Sequence, residues 1–381
     1  MPYWRLSAFY LFYFAALGIL LPYWSLYLRA LGFDALAIGQ LMAVVMVTKL
    51  VAPNLWGWLA DHSGRRIAVI RLASAVSLLA FAAIYLTRSF WGIAAVMAVY
   101  SFFWNASLPQ FEVITLNWLG SDTRRYGLVR LWGSIGFISA VGLLGVLLDR
   151  HPVSWVPAAL LLALGGIFFS SLLIGEGPVS WHADVRHPPL TRVLRHPAVI
   201  AFLCASFLMQ AGHGVYYSFF SIWLSDAGYG KGETGALWAL GVLAEVGLFL
   251  IMHHLMERFE ARRLVFVSLL AAAARWLLIG LFPDRLGLIL LAQILHAVTF
   301  GVFHAAAIQL VHEYFPGRLQ GRGQALYSSL SFGAGGALGS FVGGWLWESW
   351  SPLAAFIAAS AVSLLAAGVV HRWMRPVARS Y

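Results

Sequence analysis

A few ionisable side chains lie in the middle of long apolar stretches of this chain, in which only 10% of the 381 residues are charged. Glu245 lies about eleven residues, or about 17 Å at the rise of an α-helix, from either end of its stretch. Arg275 is similarly central in the next stretch, and His296 has a compatible depth in the one after that. Because a buried carboxyl group beside an arginine can exchange a proton when the arginine moves away, the three residues form a candidate proton-coupling set. A purely structural ion pair between Glu245 and Arg275 is the alternative.

A second group of side chains could bind a solute. Glu112 lies in the fourth apolar stretch, Arg130 lies about one helical turn inside the fifth, and Lys49 lies near the middle of the second. A buried lysine suits an anionic solute, and Tyr13 and Tyr217 could line a cavity for an aromatic ring. On position alone, Arg130 is better explained as a residue whose guanidinium reaches the membrane interface.

The elements that carry these residues are membrane helices. Hydrophobic residues make up 61% of the chain, which is more than in soluble proteins. A stretch of about 20 apolar residues crosses a bilayer core roughly 30 Å thick, and lipid offers no partner to an exposed backbone group, so helices are required. Twelve such stretches are predicted: residues 5–29, 36–60, 67–87, 91–119, 127–148, 153–174, 198–225, 234–256, 264–282, 286–314, 324–348 and 352–373.

The basic residues are distributed unevenly between the two sides of the predicted membrane. The net charge is +10, and of the 25 Lys and Arg residues 18 fall on the side that holds both termini. The rule that positive charge stays in the cytoplasm therefore places both termini inside. This distribution follows the membrane topology, so no nucleic-acid partner is expected. A lone cysteine, Cys204, excludes an internal disulfide, and no metal-ligand spacing or cofactor motif is found.

The chain also repeats itself. The decapeptide GWLADHSGRR at 57–66 has a weakly similar counterpart at 254–263, and the segment RYGLVRLWGSIGF at 125–137 is similar in sequence to the segment at 321–333. The two offsets, 197 and 196 residues, agree and are close to half of the length, as in transporters built from two homologous halves. The predicted domains are an N-terminal six-helix bundle, a cytoplasmic central loop and a C-terminal six-helix bundle: residues 1–174, 175–197 and 198–381.

The first of these segments resembles the loop signature of the major facilitator superfamily. Its functional residues would be Gly57, Asp61, Gly64, Arg65 and Arg66. Asp61 can accept hydrogen bonds from helix N-terminal amides or pair with an arginine at a neighbouring helix end, and Gly64 permits a tight turn. These contacts would close a cytoplasmic gate. The alternative is that the two arginines only determine orientation.

Four further segments are similar to the bacterial phenylpropionate permease group, itself related to lactose permease and nucleoside–proton symporters: 126–137, 210–230, 237–246 and 292–307. This resemblance implies that Glu112 and Arg130 bind the substrate and that Glu245, Arg275 and His296 couple transport to protons. Lactose permease has an essential acid three positions after its histidine, where this chain has Thr299. Glu245 is therefore the preferred proton carrier.

Together these features predict an all-α membrane protein of the major facilitator fold, located in a bacterial inner membrane and functional as a monomer without cofactors. The predicted function is proton-coupled uptake of a small organic anion, such as 3-phenylpropionate. The alternatives are a proton-coupled efflux antiporter and a sugar or nucleoside symporter. A membrane enzyme or sensor is remote, because no segment is large enough for a catalytic domain outside the membrane.

Overall fold

The computed structural model describes residues 2–120, 124–176, 190–317 and 319–374, and the elements in these ranges are helices. In the first half, α3 is followed by a 3₁₀ turn at Ala83–Leu86 and α6 is preceded by one at Val153–Trp155. The six long helices of this half are α1 (Tyr3–Ala30), α2 (Ala35–Ser63), α3 (Arg66–Ala82), α4 (Phe90–Leu119), α5 (Arg124–Arg150) and α6 (Val156–Leu172).

The second half begins with a short helix at Leu190–Leu194. The long helices that follow are α7 (Pro197–Asp226), α8 (Lys231–Arg258), α9 (Ala261–Leu281), α10 (Leu286–Tyr314), α11 (residues 319–349) and α12 (Pro352–Trp373). Two of them contain π-helical segments, at Ala297–Val302 in α10 and at Ser329–Gly335 in α11.

The predicted spans coincide with these helices. Within the described residues, eleven helices are long and apolar enough to cross a membrane. The predicted span 324–348 lies inside α11, whose many glycine and serine residues make it less apolar than the others. Large side chains such as Trp91, Leu162 and Leu250 are exposed, as expected of surfaces that face lipid. The all-α membrane fold is therefore confirmed.

Local sequence determines where several helices begin and end. The side chain of Asp34 accepts a hydrogen bond from the backbone N–H of Ala37 at 2.7 Å and caps α2. Ser89 and Ser351 cap α4 and α12 in the same way. Gly64 ends α2 with a φ of 64°, a conformation that glycine adopts without strain.

Contacts divide the chain into two compact units. The first comprises Met1–His182 with Leu224–Ala239, and the second comprises Ala183–Trp223 with Leu240–Tyr381. The central part of the predicted loop, residues 177–189, lies outside the described residues, so the predicted domain boundaries remain a prediction.

Within the first unit, residues 224–239 are attached to α1 and α5 by charged groups. The carboxylate of Asp149 accepts hydrogen bonds from the backbone N–H groups of Lys231 at 2.7 Å and Gly232 at 3.1 Å. Arg29 forms an ion pair with Asp226 at 2.6 Å. Asp149 thereby satisfies two of the otherwise unpaired N–H groups at the start of α8.

Equivalent helix crossings in the two units require glycine. In the first unit, a Cβ at Gly18 of α1 would lie 2.7 Å from the carbonyl oxygen of Phe137 in α5. In the second unit, a Cβ at Gly214 of α7 would lie 2.5 Å from the carbonyl oxygen of Gly336 in α11. Gly18 and Gly214 are 196 residues apart, which is the offset of the second pair of repeated segments. The repeat therefore preserves this close backbone approach.

We expect Gly18→Ala and Gly214→Ala each to lower the melting temperature of the purified protein, measured by thermal unfolding in detergent. Each new Cβ would clash with a backbone carbonyl oxygen, which cannot move without shifting its helix. The expected loss in the free energy of unfolding is about 1–3 kcal/mol. Gly142→Ala in α5 is the control, because a Cβ there meets nothing within 4 Å and alanine is the better helix former. Equal melting temperatures for all three variants would contradict this account of the crossings.

Candidate functional site

The first candidate site surrounds Arg275 in the second unit. Its guanidinium is fully buried, and its Nε donates to the carbonyl oxygen of Ala292 at 2.9 Å, while Nη1 donates to the hydroxyl of Thr299 at 3.3 Å. The guanidinium carbon lies 4.2 Å from the ring centre of Tyr216 and 4.7 Å from that of Trp276. Arg275 is therefore held by neutral oxygens and aromatic faces.

Glu245 approaches a different partner from the one considered from sequence. Its carboxylate lies 3.9 Å from Nε2 of His296, while the guanidinium of Arg275 donates to Ala292 and Thr299 of α10. Both interpretations of Glu245 and Arg275, the proton-coupling set and the structural ion pair, stay predictions. All three predicted coupling residues nevertheless lie in one cluster with Thr299, whose hydroxyl donates to the carbonyl oxygen of His296 at 3.3 Å.

Two residues that the sequence analysis did not select as site residues complete this cluster. Gln293 is fully buried, and its Oε1 accepts a hydrogen bond from the hydroxyl of Tyr216 at 2.9 Å. Tyr216 in turn lies under the guanidinium of Arg275. A fully buried glutamine one turn before a buried histidine is the signal that could have identified it, since buried amides require partners.

Several buried polar atoms of the cluster have no hydrogen-bond partner among the described residues. These atoms are Nη2 of Arg275, Nε2 of Gln293, Nδ1 of His296 and Nε2 of His213. Buried polar groups are nearly always satisfied in native proteins, by protein atoms or by ordered water, so these four atoms mark the cluster as a candidate site. The adjoining π-helical segment Ala297–Val302 is also typical of functional sites.

The first unit holds a second candidate site, around Arg130. Its guanidinium carbon lies 3.9 Å from the ring centre of Phe14, and a Cβ at Gly133 would lie 2.6 Å from its Nη1. The hydroxyl of Tyr126 donates to the carboxylate of Glu112 at 3.4 Å. Arg130 is therefore half-buried and packed on an aromatic ring, and its interface position stays a prediction.

The remaining predicted binding residues are distributed over both units. Tyr13 is buried in the first unit and stacks on Trp104, with ring centres 4.9 Å apart. Lys49 is half-buried in α2 and makes no hydrogen bond or ion pair with another described residue. Tyr217 lies in the second unit, with its ring centre 5.8 Å from that of His213. The structure thus places Tyr217 near the Arg275 cluster.

The predicted gate residues form a compact set of contacts in the first unit. Asp61 forms an ion pair with Arg66, and Arg66 also donates to the side chain of Gln110 in α4. The backbone N–H of Ile67, in the first turn of α3, donates a hydrogen bond to the carboxylate of Glu176 at 2.7 Å and not to Asp61. Of the two contacts considered from sequence, Asp61 therefore makes the one with an arginine. The sequence analysis did not identify Gln110 or Glu176.

The other two gate residues differ in how tightly they are held. A Cβ at Gly57 would lie 3.4 Å from Nε2 of Gln110, an ordinary van der Waals distance, so a methyl group would fit at this point of α2. Arg65 is exposed, and its backbone N–H donates to the hydroxyl of Ser63 at 3.4 Å. Arg65 is thus free to serve the orientation role that the sequence left as an alternative.

Comparison with known proteins agrees with this architecture. Residues 3–358 match the model of the MFS_1 like family. The chain is 29% identical over 347 residues to the "Probable 3-phenylpropionic acid transporter" of Escherichia coli (strain K12), covering 89% of each chain. It is 27% identical over 351 residues to the "Maltose permease" of Geobacillus stearothermophilus, covering 91% of this chain and 89% of that one.

Solved structures share the fold at lower identity. The crystal structure of the nucleoside transporter NupG superposes with a TM-score of 0.82 at 16% identity, covering 99% of this chain and 100% of that one. A bacterial homolog of the human lysosomal transporter Spinster gives a TM-score of 0.72 at 14% identity, covering 97% and 96%. These proteins are transporters and not enzymes, and the remote alternative of an enzyme is thereby set aside. The chain belongs to the MFS_1-like family and is a membrane transporter of the major facilitator fold.

Proposed function

We propose that this transporter takes up a small organic anion, such as 3-phenylpropionate or a related aromatic acid, together with a proton and by alternating access. The observation that carries the proposal is the charge balance within the helices. Lys49 has no ion pair among the described residues, and Arg275 is held only by neutral groups. Two cations without a protein counter-charge favour a solute that brings one.

The aromatic surroundings favour a solute with a ring. Tyr13 and Trp104 in the first unit, and Tyr216 and Tyr217 in the second, are stacked or tilted against their neighbours close to the charged residues. Aromatic side chains bind flat apolar rings through their faces. The relative from Escherichia coli bears the name of an aromatic acid transporter, which supports the same class of solute.

Glu245 and His296 are the proposed proton-coupling pair. Arg275 is proposed to be the neighbouring charge with which this pair interacts electrostatically. Glu245 faces His296 at 3.9 Å, and Arg275 is bonded to Thr299 on the next helical turn of α10. A proton bound by this pair changes the charge beside Arg275 without any covalent step. Glu112 and Arg130 are proposed to bind the solute in the first unit. The Asp61 loop is proposed as the cytoplasmic gate, in a monomer of a bacterial inner membrane with both termini inside.

The substrate class can be tested in reconstituted vesicles with an imposed inward proton gradient. We expect accumulation of labelled 3-phenylpropionate, while benzoate serves as a shorter acid and a nucleoside, lactose and maltose serve as neutral solutes. If one proton enters with each carboxylate, transfer is electroneutral, and each pH unit supplies about 1.4 kcal/mol, or roughly tenfold accumulation. Uptake of a neutral solute with no uptake of either acid would show that the proposed class is wrong.

Glu245→Gln is expected to abolish accumulation of the solute while sparing its exchange across the membrane in counterflow. The amide keeps the size of the carboxylate but fixes a neutral form, so a proton can no longer be carried. Glu257→Gln, on the same helix but exposed, is the matched control and should accumulate normally. Normal accumulation by Glu245→Gln at neutral pH would remove this residue from the coupling mechanism.

Asp61→Asn is expected to slow counterflow several-fold, because the ion pair with Arg66 is lost while the positive charges that determine orientation are retained. Asp34→Asn at the other end of α2 is the control, since asparagine caps a helix as well as aspartate does. If both variants exchange substrate at the wild-type rate, the loop acts as an orientation signal and not as a gate.

A further inference from the structure

The surroundings of the Arg275 guanidinium in the second unit are neutral groups. Arg275 is fully buried, and its guanidinium donates hydrogen bonds to the carbonyl oxygen of Ala292 and the hydroxyl of Thr299 and lies over the ring of Tyr216. Burying a charge is costly unless it is paired and fully hydrogen-bonded. The observed arrangement leaves Nη2 without a partner, so the charge is only partly compensated.

The side chain of Gln293 shares a neighbour, Tyr216, with Arg275. Arg275 bonds to the carbonyl oxygen of Ala292, the preceding residue in α10, and both Arg275 and Gln293 contact Tyr216. Oε1 of Gln293 accepts a hydrogen bond from the hydroxyl of Tyr216, and this bond orients the amide. The amide nitrogen Nε2 is then the group that can still donate. Nε2 also has no partner among the described residues.

The two unpartnered atoms are both hydrogen-bond donors, and one belongs to a cation. A group that satisfies them must be an acceptor, and a negative charge would also neutralise the guanidinium. A carboxylate has two oxygens that accept in one plane, which matches an arginine and an adjacent amide N–H. A hydroxyl of a sugar or nucleoside could accept one bond but would leave the charge of Arg275 unmatched.

A glycine of α8 lies against the same part of α10. A Cβ at Gly241 of α8 would lie 3.3 Å from Oε1 of Gln293 and 3.3 Å from Cδ2 of His296. Any larger residue at 241 would therefore crowd both side chains. The close approach of α8 to Gln293 and His296 therefore depends on glycine at this position.

We propose that Arg275 and Gln293 form the subsite that receives the carboxylate of the solute, with Tyr216 orienting the amide of Gln293. This inference rests on the proposed uptake of an organic anion and names the residues that recognise its charge. Gln293 is the specificity-determining residue: it selects an acceptor group without adding a second charge that would hold the anion too tightly to be released. The solute carboxylate then lies in the same cluster as Glu245 and His296.

Ligand binding by the purified full-length protein tests the subsite. The dissociation constant for 3-phenylpropionate is measured by calorimetry and by the ligand-induced rise in melting temperature, with the neutral amide 3-phenylpropionamide as the comparison ligand. We expect wild type to bind the acid at least about tenfold more tightly than the amide, and Gln293→Leu to lose about tenfold in affinity for the acid, as for a hydrogen bond to a charged group.

Gln293→Glu provides the sharper variant, because its carboxylate supplies an internal counter-charge to Arg275. Its melting temperature without ligand should equal or exceed that of wild type, and the acid should no longer raise it. Gln309→Leu is the matched control: Gln309 lies in the same helix, donates to Glu313 at 3.0 Å, and should bind the acid as wild type does.

The possible outcomes separate the two proposals. If wild type binds 3-phenylpropionate and both Gln293 variants bind it equally well, the subsite assignment is overturned while the proposed function stands. Equal binding of the acid and the amide by wild type would also overturn the assignment, because the site would not recognise charge. If wild type binds neither 3-phenylpropionate nor benzoate, the proposed substrate class itself is wrong.

Discussion

Lipid offers no hydrogen-bond partners, and this constraint determines most of the structure. Every backbone polar group within the membrane must be satisfied inside its own segment, which requires helices throughout the described residues. The same constraint applies to side chains, so each charge inside a helix needs a partner supplied by the protein or by a bound molecule. The candidate sites are the places where charges and aromatic groups meet under this rule.

The two units satisfy their buried charges differently. In the first unit, Arg130 packs on Phe14 and Glu112 accepts a hydrogen bond from Tyr126, so acid and base lie in the same group of helices. In the second unit, Arg275 is surrounded by neutral groups, and Glu245 faces His296. The first unit also holds Lys49, which has no ion pair among the described residues. In the second unit the buried guanidinium of Arg275 contacts neutral groups, and these neutral surroundings are the physical basis for proposing recognition of an anion there.

Glycine has a structural role that the hydrophobic pattern does not reveal. Gly18 and Gly214 occupy equivalent positions of the repeat, and each allows a helix backbone to approach a carbonyl oxygen of another helix. Close backbone approach provides van der Waals contact where burial of apolar surface gives no advantage over lipid. The crossings of α1 with α5 and of α7 with α11 therefore depend on the absence of a side chain, while Gly142, on α5 as well, faces open space.

The sequence by itself determined the membrane character, the number of spans and the resemblance to major facilitator transporters, because hydrophobicity and the Asp61 loop are properties of contiguous residues. It also selected Glu245, Arg275 and His296, since a charge is conspicuous within an apolar stretch. Only the tertiary structure decided which of these residues touch. Glu245 faces His296, Asp61 pairs with Arg66 while the carboxylate of Glu176 accepts from the amide of Ile67, and Gln293 accepts a hydrogen bond from Tyr216. Such pairings depend on how helices from distant parts of the chain rotate and cross, and a pattern along one helix carries no information about the residue that faces it on the next.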